Sequence, residues 1–394
     1  MIGNEKSFLL TYGYTQEPIL FPLEISEQHA TLFGVEAGPL TSQKLMSIFQ
    51  NEKGNGLLQI ISDGTKVPGD ERLGRNFFDK LAALWTILVP DKNLRTQIVS
   101  REKKYKRLLV LPDGPLAKFP FEMLVVNSNF AEPLYLLDQG PATLYSPSAG
   151  MYHFLSGRSP SQNKDVLTVG NPNYTSSKAK PNEGDTLIAT RGESFSNRFG
   201  QLLPLPKSSE ETKWIEDSCH AKNIPVVRLD KATSTEKNVR DNVKQKRIVH
   251  LSCHGLSDDY FGNMFGCLAL TVGNHEDQQD DGFLTLAEIF GLDLDSCDMA
   301  ITSACDTNLG PNQHGEGTWS LSRGMLVAGA RRVLTTDWKV TDDVSARLIS
   351  DFVKKLNSKS TYDYADELRA VKLEMKKKRS HPYYWAPFVC VGTP

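Results

Sequence analysis

Two stretches decide how this chain is read: VHLSCHG, Val249–Gly255, and ITSACDT, Ile301–Thr307. Each is a short apolar run, rich in β-branched residues, that closes on small residues and one reactive side chain, which is the pattern of a buried strand ending at an edge. Side chains alternate along a strand, so Cys253 and His254 point to opposite faces and cannot act together. His254 therefore needs a partner from another strand, at the same carboxyl-terminal edge where open α/β sheets hold their ligands. Cys305 closes the later run, and if the two strands are neighbours their ends lie about 5 Å apart. A thiolate at Cys305 would then be the nucleophile, with His254 accepting its proton and returning it to the leaving amine. Gly255 lacks a Cβ and lets a backbone amide approach a developing oxyanion. A single histidine at a strand end is more often a satisfied polar residue than a catalyst. Two such residues at matched strand ends, flanked by Ser252, Gly255, Ser303 and Ala304, favour the pair.

Outward from these stretches the chain alternates short apolar runs with helical periods, the arrangement of an α/β protein with a mostly parallel sheet. Strands are expected at Arg107–Leu111, Val166–Val169, Val226–Leu229, Ile248–Leu251, Met299–Ser303 and Arg332–Thr335. Ser208 with Glu211, Thr233 with Glu236, and Thr285 with Glu288 have the spacing of capping boxes at helix starts. Val344, Leu348 and Phe352 make one apolar helix face. Asn171–Gln201 and Gly273–Gly282 are polar and read as exposed loops. The lysines of Glu374–Arg379 read as a solvated helix face.

The whole chain narrows the function classes. Its 394 residues suffice for a large core, and a formal charge of -2 provides no field for nucleic acid or an anionic membrane. The first residues, MIGNEKSFLLTYGY, have no long apolar core after a basic start, so a cytoplasmic protein without a membrane anchor is expected. The cysteines, at 219, 253, 267, 297, 305 and 390, show no CxxC spacing. A zinc site from Cys253, Cys267, His275 and Cys297 has no pair at ligand spacing. No GxGxxG or GxxxxGK[ST] stretch is present, which weakens a flavodoxin-type ligand domain, and no cofactor is expected.

His254 and Cys305 lie 51 positions apart, close to the separation of about 50 between a caspase's histidine and cysteine. Beyond that pair, LLVLPDGPLAKFPFEML (Leu108–Leu124), LYSPSAG (Leu144–Gly150), VLTVGNPNY (Val166–Tyr174), FLTLAEIF (Phe283–Phe290), GEGTWSLSRGMLVAGARRVLTTDWKVTDD (Gly315–Asp343) and YYWAPFVCVG (Tyr383–Gly392) follow in order. In these motifs, over nearly its whole length, the chain resembles the CHAT domain family of caspase-like and separase-like cysteine peptidases. The resemblance implies a caspase-hemoglobinase-like sheet with a degenerate caspase-like half at residues 1–155 and the active half at 156–394. It also implies His254 and Cys305 as the catalytic dyad and the amides of Gly255 and Cys305 as the oxyanion hole. Its activity would be cleavage of a specific protein partner, under an activating protein or sensor subunit, in a bacterial regulatory or defence setting of the CRISPR or gasdermin type.

Two departures bear on this reading. CHAT proteins commonly carry tetratricopeptide repeats or other sensors ahead of the peptidase, for which this chain has no room, so a stand-alone peptidase, a subunit or an excised domain is expected. Basic-specific relatives tend to have Asp two positions before the nucleophile, where this chain has Ser303, so cleavage after arginine or lysine is not implied. Trp338 is expected to line a substrate groove at the carboxyl-terminal edge, with Asp337 and Asp306 as candidate readers of the side chain before the cut. The competing function, from a different class, is a catalytically silent caspase-like module that binds a protein through the same groove.

Overall fold

The structure, a computed structural model, describes residues 7–14, 18–25, 30–32, 48–49, 56–62, 75–100, 105–112, 114–127, 132–174, 202–257, 263–273, 280–303, 312–313, 317–318, 320–359 and 363–394. The strands in chain order are β1 (Ser7–Tyr14), β2 (Pro18–Ile25), β3 (Ala30–Leu32), β4 (Arg107–Leu111), β5 (Ala142–Tyr145), β6 (Val166–Pro172), β7 (Val226–Lys231) and β8 (Ile248–Ser252). They continue with β9 (His254–Leu256), β10 (Cys267–Ala269), β11 (Phe283–Thr285), β12 (Met299–Thr302), β13 (Asn312–Gln313), β14 (Gly317–Thr318), β15 (Arg332–Thr336) and β16 (Phe388–Gly392). The six strands expected from sequence all form.

Eleven of these strands make one sheet, in the order β3-β2-β1-β4-β5-β16-β15-β12-β8-β6-β7. The central strands are buried on both faces, as parallel strands covered by helices must be, which is why they read as unbroken apolar runs. β6, β8, β12 and β15 run parallel, with Gly170 opposite Ser252, Leu251 opposite Thr302 and Ile301 opposite Leu334. Their carboxyl ends therefore stand in one row. β16 closes the centre by pairing antiparallel with β15 and parallel with β5, joining strands from the first part of the chain to those of the second.

The Pro206–His220 helix lies on β6, and Gly170 makes the close approach possible. A Cβ there would meet Thr212 Cγ2 at 2.6 Å and the Ser208 carbonyl oxygen at 2.8 Å. The Asp342–Asn357 helix packs against the Pro206–His220 helix, with Val344, Leu348 and Phe352 all buried as their spacing predicts. The Tyr364–Lys378 helix lies next, against β5 and β16. Its Lys372 is buried, and Nζ donates to Glu122 Oε1 at 2.8 Å and to the Phe388 carbonyl at 2.9 Å. Lys376, read from sequence as part of a solvated face, binds both Asp138 carboxylate oxygens at 2.8 Å.

The capping motifs divide. Thr285 and Glu288 form a reciprocal box. Glu211 does not cap: its helix starts earlier, at Pro206, and its side chain turns into the interior instead. Thr233 and Glu236 differ likewise, because Thr235 is the N-cap of the Glu236–Asn242 helix and accepts from the Asn238 amide, while Glu236 is buried and accepts from the Gly282 amide. The S/T-x-x-E pattern suits a helix end, but a glutamate beside a crowded sheet edge finds other donors. The Asp113 turn and most of the two polar loops, residues 175–201 and 274–279, lie outside the described residues. Among the described residues no helix is long and apolar enough to cross a membrane.

Candidate active site at the carboxyl-terminal edge

The chain leaves the main sheet after Ser252. Cys253 is buried, and His254 begins β9, the edge of a small antiparallel sheet in which it faces Ala269 on β10. Tyr174 holds this residue through both backbone and ring. The His254 amide donates to the Tyr174 hydroxyl at 3.1 Å, and that hydroxyl donates to the Ala269 carbonyl at 3.2 Å. The Tyr174 ring lies against the imidazole with centroids 5.1 Å apart. Burial, ahead of other causes, pushes the Tyr174 phenol well above its ordinary range, so it keeps its proton and can donate.

His254 Nε2 is 2.8 Å from the Leu203 carbonyl oxygen. A carbonyl only accepts, so Nε2 carries the hydrogen and Nδ1 is the basic nitrogen of the neutral ring. A neighbour that fixes the tautomer in this way also fixes the ring's orientation, as required of a general base. Tyr174 and Leu203 stand on either side of residues 175–201 in the chain, and Leu202 and Tyr174 pack on a small cluster of Leu256, Cys267 and Ala269.

His254 stands at one wall of a cleft lined also by Ser208 and Glu211 on the Pro206–His220 helix, Ser252 on β8, Ser303 after β12, Thr336 on β15 and Ser345 on the Asp342–Asn357 helix. Beneath them Glu211 is 2 % exposed. Its Oε1 meets His250 Nε2 at 2.8 Å, and its Oε2 accepts from the hydroxyls of Ser252 at 2.9 Å and Ser303 at 3.1 Å. His250 Nδ1 is 2.8 Å from Thr168 Oγ1 on β6. One carboxylate thus ties together the ends of β8 and β12, the two strands that lead to His254 and Cys305.

Of the residues singled out from sequence, His254 lines this cleft. Gly255 is beside it on β9, opposite Leu268. Cys305 and Asp306 lie outside the described residues. Asp337 opens instead on a separate depression with Tyr145, Ser146 and Ser320, and its amide donates to the Pro387 carbonyl at 3.0 Å. Trp338 is not a wall of the cleft: it is 4 % exposed, belongs to the hydrophobic core, and donates its indole N–H to the Tyr383 carbonyl at 3.2 Å. Its neighbours Lys339 and Val340 reach the cleft in its place. Tyr174, Leu203 and Glu211 were not anticipated. A backbone carbonyl leaves no signature in sequence, and the spacing of Glu211 from Ser208 matched a commoner motif.

The CHAT domain model matches residues 79–393. Among solved structures, the Saccharomyces cerevisiae separase–securin complex superposes with a TM-score of 0.53 at 11 % identity, covering 100 % of this chain and 30 % of that one. A second separase–securin structure from the same organism gives 0.52 at 10 % identity, again over 100 % and 30 %. The Arg-specific cysteine proteinase gingipain R (RgpB) gives 0.42 at 11 % identity over 78 % and 68 %. The chain therefore spans about 30 % of the length of the separase it matches. No curated protein matches it in sequence.

Proposed function

Because the chain belongs to the CHAT domain family, we propose that it is a cysteine endopeptidase in which His254 activates Cys305 to cut a protein partner. The observation that carries the proposal is the clamp on His254, which commits Nε2–H to the Leu203 carbonyl and leaves Nδ1 free to take a thiol proton. Parallel pairing of β8 with β12 supports the partnership, since the residues that follow them start from adjacent positions on one edge. The thiolate would attack the scissile carbonyl, His254 would protonate the leaving amine, and water would release the acyl group. The amides of Gly255 and Cys305 are proposed to hold the oxyanion.

Residues 1–155 are proposed as the supporting half and 156–394 as the active half. The separase neighbour is a complex with securin, which supports a protein partner here, and we extend this to an activating protein or sensor in a bacterial defence or regulatory system. The test is to incubate the chain and its Cys305→Ala variant with proteins encoded nearby and read new termini by mass spectrometry. Defined new termini with the wild type alone support the proposal. Their absence, together with equal iodoacetamide labelling of Cys305 in wild type and His254→Ala, would leave a silent binding module as the reading.

A further inference from the structure

The run Leu202, Leu203, Pro204 and Leu205, just ahead of the Pro206–His220 helix, holds three leucines that face three ways. Leu202 packs on the small cluster of Leu256, Cys267 and Ala269. Leu205 lines the cleft. Leu203 does neither: it is 68 % exposed, the most of any large apolar residue among the described ones, and Pro204 beside it is exposed too. A single exposed leucine is ordinary on a protein surface, but this one is fixed in place. A residue that precedes proline is restricted to extended conformations, and Leu205 in turn precedes Pro206, which starts the helix. The carbonyl of Leu203 is already committed to His254 Nε2 at 2.8 Å. Its side chain therefore stays beside the imidazole that its backbone holds.

The proposed reaction brings one residue of the substrate to that imidazole. For His254 to give its proton to the leaving amine, the amine nitrogen must come within about 3 Å of Nδ1, and that nitrogen belongs to the first residue after the cut. The residue before the cut stays on the Cys305 sulfur as the acyl group. Tyr174 lies against the imidazole with centroids 5.1 Å apart, and Leu203 borders it at Nε2. The first residue after the cut thus arrives one imidazole ring away from an exposed leucine that carries no charge and no side-chain hydrogen-bonding group. Contact there gains free energy in proportion to the apolar area taken out of water, so leucine, methionine or phenylalanine gains and glycine does not.

We propose that the Leu203 side chain is the subsite for the residue immediately after the cut and selects a large apolar side chain there. The proposal deepens the peptidase reading and rests on it. One residue then serves twice, its carbonyl positioning the base and its side chain reading the leaving segment.

Aminolysis reads this subsite without a known protein substrate. p-Nitrophenyl acetate acetylates a reactive thiolate and releases p-nitrophenolate, a step that needs no side-chain recognition. Leucinamide or glycinamide then attacks the thioester carbon, its amine proton passes to His254 Nδ1, and the Cys305 thiolate leaves the N-acetylated amide. This is amide cleavage run backwards, so the attacking amine occupies the place of the leaving amine. The two amides compete at equal concentration, and the product ratio, read by mass spectrometry above a Cys305→Ala blank, is divided by the ratio for a free acetyl thioester. Wild type should favour acetyl-leucinamide about fivefold or more. In Leu203→Ala the ratio should fall to near one, and in Leu203→Glu argininamide should overtake leucinamide. Because each protein is read as a ratio, a general loss of rate in a variant cancels. A ratio near one in wild type, a ratio that survives in Leu203→Ala, or acetylation of Cys305 without aminolysis overturns the proposal and leaves the peptidase reading standing. Acetylation of Cys305 no faster in wild type than in His254→Ala sinks the peptidase reading, and the proposal with it.

Discussion

Two glutamates, Glu122 and Glu211, are buried to a similar degree and handled in opposite ways. Glu122 follows the first strand motif and is met by an ammonium: Lys372 Nζ at Oε1, 2.8 Å away, and the Tyr145 hydroxyl at Oε2, 2.5 Å away. Burial, and then the Glu122 charge, drive the Tyr145 phenol far above its ordinary range, so it remains a donor. Lys372 in turn is satisfied by two backbone carbonyls, those of Ala386 and Phe388. Charge and hydrogen bonds both close, and the network links the LLVLPDGPLAKFPFEML segment to the Tyr364–Lys378 helix and β16. Glu211 has its hydrogen bonds but no lysine or arginine among the described residues, and it faces a cleft. One buried carboxylate is thus met by an ammonium and the other by two hydroxyls and an imidazole, so the same exchange at each tests a different cost.

The largest effect that tests this contrast is at Glu122. Glu122→Gln leaves the Lys372 ammonium buried without its counter-charge and should lower unfolding free energy by about 3–5 kcal/mol, read by urea titration. A loss below about 1 kcal/mol would show the pair to be solvated, and the contrast would collapse.

Next is Glu236, a third buried glutamate, whose Oε1 has no hydrogen-bond partner among the described residues and pairs with Arg240 Nη1 only at 3.9 Å. Burial, then the charges of Asp281 and Glu288, push its carboxyl up to about 8. The folded state therefore favours the protonated form. Its contribution to stability is fully present below the ordinary carboxylate range and is lost as pH rises to about 8. Wild type should accordingly lose stability over that window with a slope of up to about 1.4 kcal/mol per pH unit from this group, and Glu236→Gln should lack that component. Parallel slopes in the two proteins would place Glu236 with Glu122, as a compensated group.

A smaller effect is expected at Tyr174. Tyr174→Phe keeps the ring against His254 but removes the acceptor for the His254 amide and the donor to Ala269, costing about 1 kcal/mol. The rate of Cys305 alkylation near neutral pH should fall several-fold with it, if Tyr174 positions the imidazole. An unchanged rate would leave Leu203 alone as the positioning contact. The smallest effect belongs to Glu211→Gln, since the hydroxyls of Ser252 and Ser303 can reorient toward an amide. Its unfolding free energy should shift by about 1 kcal/mol or less, in contrast with the same exchange at Glu122. Equal costs at the two positions would show that the hydroxyls and the imidazole hold Glu211 as firmly as the ammonium holds Glu122.

Much of the frame is legible in the sequence. β4, β6, β7, β8, β12 and β15 are short apolar runs because strands buried on both faces require them, and the neighbouring carboxyl ends of β8 and β12 follow from that. β3 and β5 are too brief to show a period, and β2 carries Pro18 and Pro22, which argue against a strand in sequence. The anticipated groove residue Trp338 illustrates the same limit: an indole after a strand end can cap the core or face a ligand, and its N–H found the Tyr383 carbonyl. Glu211 and Glu236 were legible as glutamates near helix starts but not as buried groups.

What the sequence by itself determined is the alternation of strand and helix, the CHAT motifs in their order, and the placement of His254 immediately after a buried strand, because these depend on spacing along the chain. What only the tertiary structure decided is which nitrogen of His254 carries its hydrogen and which carboxylate lies beneath the cleft. Both depend on groups far away in sequence, Leu203 and Glu211, whose distance and direction are set by a helix lying close on β6, and no local pattern encodes a distance across elements.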